Sequence, residues 1–95
     1  MSAAKIPIAV FRLGKLVATP NALAELSQED ILTGIQRHQA GDWGDLGEHD
    51  RQENELSLKQ GFRLLSVYHG KNGTKFYVIT EADRSSTTIL LPEDY

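Results

Sequence analysis

Gly61-Phe62-Arg63-Leu64-Leu65-Ser66-Val67-Tyr68-His69-Gly70-Lys71-Asn72-Gly73-Thr74-Lys75-Phe76-Tyr77-Val78-Ile79-Thr80, followed by Glu81 to Tyr95, decides the fold. Two runs rich in β-branched and aromatic residues, Phe62–Tyr68 and Thr74–Thr80, flank Gly70-Lys71-Asn72-Gly73. Asn-Gly between such runs is the strongest short-range hairpin signal, because both central residues of a type I′ turn need positive φ. The polar loop Glu81–Ser86 leads to a third run, Thr87–Leu91. The spacing predicts a three-stranded antiparallel meander. Strand parity puts Phe76 and Val78 on one face, and Tyr77 and Ile79 on the other. Both faces are partly apolar, which leaves the second to be covered by the N-terminal strand, a helix or a partner chain, a homodimer included.

Upstream, Ile6–Phe11 reads as a first strand, held to an edge or an end by Pro7. Gly14 permits a tight reversal, with Lys15–Ala18 returning as a short partner. Thr19-Pro20 is a helix start, since proline at the first helical position forfeits only an N–H that had no partner. Ser27 with Asp30 approximates a second cap. Ile31, Leu32 and Ile35 then give an amphipathic helix over Gln28–Gln39, weakened by about 1 kcal/mol at Gly34. The glycine-rich loop Gly41–Gly47 precedes a third, mostly exposed helix over Glu48–Gln60, ended by Gly61. The expected fold class is therefore α+β: one domain over residues 1–95, an antiparallel sheet with a C-terminal three-stranded meander, and two to three helices on one face. The expected core is Leu23, Leu26, Ile31, Leu32, Ile35, Leu65, Val67, Phe76, Val78, Ile89 and Leu91.

Composition bounds the function classes. The chain of 95 residues has no cysteine, which removes disulfides, thiolate zinc sites and a cysteine nucleophile, and fits a reducing compartment. The start lacks a basic stretch leading into a long apolar run, and no apolar run approaches the roughly 20 residues needed to span a bilayer. A cytoplasmic location without membrane contact is expected. The formal net charge of −3 argues against a surface devoted to nucleic acid. The charge is uneven. Asp42, Asp45, Glu48, Asp50, Glu53 and Glu55 stand against Arg51 alone, so this stretch carries −5 and the rest +2.

Four constellations carry candidate chemistry. The acids of the Gly41–Asp50 region do not follow the alternation of a calcium loop, and no metal or other cofactor is expected. They read instead as a solvated face or as a surface for a basic partner. The Glu81–Thr88 loop holds Arg84 among hydroxyl side chains, a donor set suited to an anion and equally to a polar turn. His38, His49 and His69 each have a general base's chemistry, but nothing in their spacing gathers them. Trp43, between Asp42 and Gly44, either anchors its loop or presents a binding hot spot.

Gly41-Asp42-Trp43-Gly44-Asp45, the run Ile79 to Tyr95 and the opening Gly14–Pro20 together resemble a family of short bacterial proteins. These are carried on plasmids and integrated elements, and are labelled plasmid-related or type I restriction subunit. The resemblance covers Phe11 to Tyr95. It implies a bacterial, cytosolic, mobile-element-associated protein and supplies no catalytic residues. In topology alone the chain is also similar to RelE/ParE-like toxins, in which Arg63, Lys75 or Arg84 would stand near the scissile phosphate.

The expected function is that of a small non-enzymatic accessory protein of a mobile element, acting by protein–protein binding through an acidic face. Its binding residues would be Asp42, Trp43, Asp45, Glu48, Asp50 and Arg84. The alternatives are an RNase toxin using Arg84 and a histidine, and a nucleic-acid-binding module using Arg63, Lys71 and Lys75.

Overall fold

The computed structural model describes residues 8–95. Its elements run β1 (Lys15–Ala18), α1 (Pro20–Glu25), α2 (Gln28–Gln39), α3 (Glu48–Gln60), β2 (Leu64–His69), β3 (Lys75–Thr80), β4 (Ser86–Leu90) and a 3-10 turn at Pro92–Asp94. Strands β2, β3 and β4 are consecutive antiparallel neighbours, with Ser66 opposite Val78 and Val78 opposite Ile89. The sheet as a whole is not the antiparallel one expected. β1 runs parallel to β4, in the register Lys15 to Ser86 through Ala18 to Ile89, so the sheet is mixed and its order is β1-β4-β3-β2.

β1 therefore does not return along an N-terminal strand. The expected strand Ile6–Phe11 begins outside the described residues, and its described part forms no strand. Val10 donates its N–H to the Gln39 carbonyl at the end of α2, which places this segment on the helical side. The β2–β3 turn also departs from expectation. Only Gly73 has positive φ, while the Asn72 side chain accepts the Thr74 N–H. The loop spans five residues between the paired His69 and Lys75, and loops of that length are built around type I turns.

The helix signals act as their chemistry dictates. Thr19 Oγ accepts the Ala22 N–H and Ser27 Oγ accepts the Asp30 N–H. Gly34 has a packing reason. A Cβ there would lie 2.9 Å from the Phe76 ring, so the glycine lets β3 approach α2. Ala22, Leu26, Tyr68, Phe76, Val78, Ile89 and Leu91 form the core, with Ala18, Ile31 and Ile35 packed against it. Leu65 is only half-buried. Leu23 and Leu32, expected inside, are 61% and 53% exposed. The second sheet face carries no helix of the α1–α2 layer; Tyr95 meets Tyr77 edge-on there, and Arg63 reaches both Glu81 and Tyr95. Among the described residues no helix is long and apolar enough to cross a membrane.

Candidate functional site

The Trp43 loop is an element of the sheet. Asp42 receives a two-pronged bond from the Arg37 guanidinium, at 2.7 and 3.2 Å. That contact raises the Arg37 pKa and lowers that of Asp42. Tyr68 donates its hydroxyl to the Asp42 carbonyl, and burial raises the Tyr68 pKa. The Val67 N–H then donates to the Trp43 carbonyl, and the Asp45 N–H to the Val67 carbonyl, so residues 43–45 cover the outer edge of β2. Gly44 has φ +76, and a Cβ there would overlap the Val67 carbonyl oxygen. One step along the same edge, the Asn54 side chain donates to the Leu65 carbonyl and accepts the Leu65 N–H. A strand edge that would otherwise offer bare backbone groups is closed by a loop and one side chain.

This geometry corrects the reading of Trp43 as an exposed anchor. The indole is 2% exposed, stacks on Phe11, meets His38 edge-on and donates Nε1–H to Glu55 at 2.7 Å. It anchors its loop and offers nothing to a partner.

Arg84 is corrected as well. Its guanidinium does not face outward for an anion; it donates to the carbonyls of Phe62, Glu81, Ala82 and Ser57. It ties the end of α3 to the β3–β4 loop, and the residue itself has φ +61. A fork spent on four carbonyls has little left for phosphate. The other basic candidates, Arg63 and Lys75 of the toxin reading and Lys71 of the nucleic-acid reading, are engaged too. Arg63 pairs with Glu81, Lys75 lies over the Tyr77 ring, and Lys71 pairs with Glu29 at 2.7 Å.

The chain's most organised polar cluster was invisible in the sequence. His38 approaches Ser66 Oγ through Nδ1 at 2.5 Å and Thr80 Oγ1 through Nε2 at 2.8 Å. Thr80 meets Thr87 at 2.7 Å, and Thr87 donates to the Leu13 carbonyl. The carbonyl end of this chain orders the protons as far as Nε2–H, and burial, which keeps the imidazole neutral, leaves Nδ1 to accept. The carbonyl only accepts, so Thr87 spends its proton there and must accept from Thr80. Thr80 then accepts from His38 Nε2–H, and Ser66 donates to Nδ1. His38 is a neutral Nε2–H tautomer. Burial first, and the Arg84 charge second, push its pKa down to about 3.

A serine hydroxyl on an imidazole is the start of a nucleophile–base pair. Here both residues, with Thr80 and Thr87, are 0% exposed, and the second imidazole nitrogen faces a threonine and no carboxylate. No substrate reaches it, and the arrangement is structural.

The remaining expected site residues, Asp45, Glu48 and Asp50, are exposed. With Glu53 they follow the chain from the Trp43 loop into the first two turns of α3, the corner of the molecule that this stretch forms. Most other acids of the described chain are engaged: Asp42 with Arg37, Glu55 with Trp43, Glu81 with Arg63, and Asp94 with Thr19 and Asn21. Among the described residues the groups that approach these acids are the Gln52 amide, which donates to Glu48 at 3.3 Å, and the imidazoles of His69, 4.0 Å from Asp45, and His49, 3.9 Å from Glu53. No group of three or more His, Asp or Glu side chains among the described residues is placed to hold a metal ion. Comparison with family models, curated proteins and solved structures finds no match.

Proposed function

We propose that this chain is a binding protein and not an enzyme, and that Asp45, Glu48, Asp50 and Glu53 form the surface that meets a basic partner. One observation carries the reading: among the described residues no Lys or Arg pairs with these four exposed carboxylates, of which only Glu48 takes an uncharged amide bond, from Gln52, while the acids around them are tied to cations, hydroxyls or the indole. The side chains of Asp45 and Glu53 are 76% and 60% exposed. Exposed like charges held at one corner raise the local potential and favour a cationic surface, with steering that salt screens. The groups that catalysis would need argue the same way. The histidine–serine pair is sealed, and Arg84 is committed to backbone carbonyls.

The test is titration of the protein with a labelled oligolysine peptide at several salt concentrations. The variant Asp45→Asn/Glu48→Gln/Asp50→Asn/Glu53→Gln should weaken binding about tenfold and flatten the salt dependence, each exposed charge contributing a few tenths of a kcal/mol. Equal affinity of variant and wild type, with both folded, removes this corner as the binding surface.

A further inference from the structure

The two leucines that belong to the expected core but lie outside it sit together. Ala22 and Leu26 turn α1 onto the sheet, and Ile31 and Ile35 do the same for α2. Leu23 and Leu32 are left on the outer side. With Leu26, Ile31 and Gln28 they line a groove of about 410 Å³ between the two helices. Four of its five lining residues are aliphatic.

The charge around the groove selects its occupant. From Leu16 through Gln36 the sequence has no Lys or Arg, but it has Glu25, Glu29 and Asp30. From outside this stretch Lys71 reaches Glu29 with its ammonium and Asp30 with its backbone N–H. Glu25, at the end of α1, is exposed. With Lys71 counted against Glu25, Glu29 and Asp30 the rim keeps a net charge of −2, and a second copy docked about a two-fold axis would set that excess against itself, which disfavours a dimer. An apolar segment flanked by cations satisfies both the lining and the rim.

We propose that the α1–α2 groove, lined by Leu23, Leu26, Ile31 and Leu32, is a docking site for an amphipathic helical segment of a partner protein, with leucine-type anchors at i, i+3 or i+4 and Lys or Arg at its flanks. This is the helix-in-groove mode, in which anchors supply affinity and the flanking charges orient the segment. The site is separate from the corner at Asp45–Glu53 and stands or falls without it.

The experiment uses the full chain and two synthetic peptides of one helical pattern, leucine on one face and either lysine or glutamate on the other. Fluorescence anisotropy reads binding, and sedimentation velocity reads self-association. The leucine–lysine peptide should bind the wild type. Leu23→Ser/Leu32→Ser should weaken it about tenfold or more, because anchors in a groove dominate such contacts. Both leucines are more than half exposed, so the variant should keep its circular dichroism and Tm. Glu25→Gln/Glu29→Gln should weaken it severalfold, and the leucine–glutamate peptide should not bind. Three results overturn the proposal. They are no binding of the leucine–lysine peptide, binding lost in the variant lacking the Asp45–Glu53 charges but kept in the serine variant, and wild-type self-association that the serine variant abolishes.

Discussion

Lowering the pH from 7 to 5 should strip this protein of about 2 kcal/mol of stability through one buried side chain, His38. The folded imidazole titrates at about 3, against an ordinary value near 6.5. A base whose folded pKa is depressed stabilises the fold fully above its unfolded pKa. That contribution drains away as pH falls from 6.5 toward 3, because the unfolded chain takes up a proton that the folded chain refuses. The limiting slope is about 1.4 kcal/mol per pH unit, and integration from pH 7 to 5 gives about 2 kcal/mol. For a domain holding about 5–15 kcal/mol in all, that is a large fraction. The lowered pKa values of Asp42, Asp83 and Asp94 act below their ordinary value of 3.8, so the window above pH 5 isolates the imidazole.

Urea unfolding read by circular dichroism at pH 7, 6 and 5 measures it, with an expected midpoint shift of roughly 1–2 M. His38→Gln, weaker at neutral pH, should lack that share of the slope. NMR gives a second reading, since the His38 ring signals should not titrate between pH 7 and 5 and should carry the Nε2–H tautomer pattern. A ring titrating near 6.5 in the folded protein, or equal losses in wild type and His38→Gln, would refute the sealed neutral imidazole.

Gly44→Ala should cost about 2–4 kcal/mol, because it places a methyl group on the Val67 carbonyl at positive φ; an unchanged thermal midpoint would show that the loop does not pair with β2. Trp43→Phe keeps most of the packing but leaves Glu55 without its indole donor, for an expected loss of about 1–3 kcal/mol in chemical denaturation. Arg84→Lys keeps the charge and loses the planar fork. About 1–2 kcal/mol of stability should go with it, and a neutral result would mean the four carbonyls do not depend on the guanidinium. Ser66→Ala/His38→Leu/Thr80→Val leaves Thr87 bonded to Leu13 and empties the rest of the polar layer together. It should unfold less readily than His38→Leu alone, since orphaned hydroxyls cost more than absent ones.

Local chemistry made the helices legible. Ser27, the periodic isoleucines and the glycines at 41 and 61 act within a few residues of where they stand, and α2 and α3 fall on their expected residues. What was not legible is what depends on distant partners. Lys15–Ala18 carries a strand pattern but no sign that Ser86–Ile89 will lie beside it in parallel. Leu23 and Leu32 satisfy a helical period, and a period does not say how wide the covered stripe will be. Trp43 between acids reads as a loop anchor or as an exposed contact until Phe11 and Glu55 arrive to seal it. Asp42, Asp45, Glu48 and Asp50 all lie exposed, as a charged stretch with few apolar residues leads one to expect. The burial of His38 is not legible either, because polar spacing alone cannot reveal two hydroxyls arriving from different strands.

That polar layer is a poor bargain for stability and a good one for register. The imidazole joins Ser66 on β2 to Thr80 on β3, which pair with Val78 and Leu64 respectively, so it spans a diagonal of the ladder. Thr80 passes the chain to Thr87 on β4 and thence to Leu13 before β1. A one-residue slip of β2 or β3 would turn its hydroxyl to the opposite face and leave a buried imidazole nitrogen bare, and a slip of β4 would do the same to Thr80. The apolar alternation along β3 does not supply this discrimination, because Phe76 and Val78 on one face are matched by Tyr77 and Ile79 on the other. Where both faces are greasy enough to be buried, hydrophobic pattern alone leaves the pairing underdetermined. Four polar groups placed where only one alignment satisfies them all supply the missing choice, and the cost is the acid sensitivity that His38 brings with it.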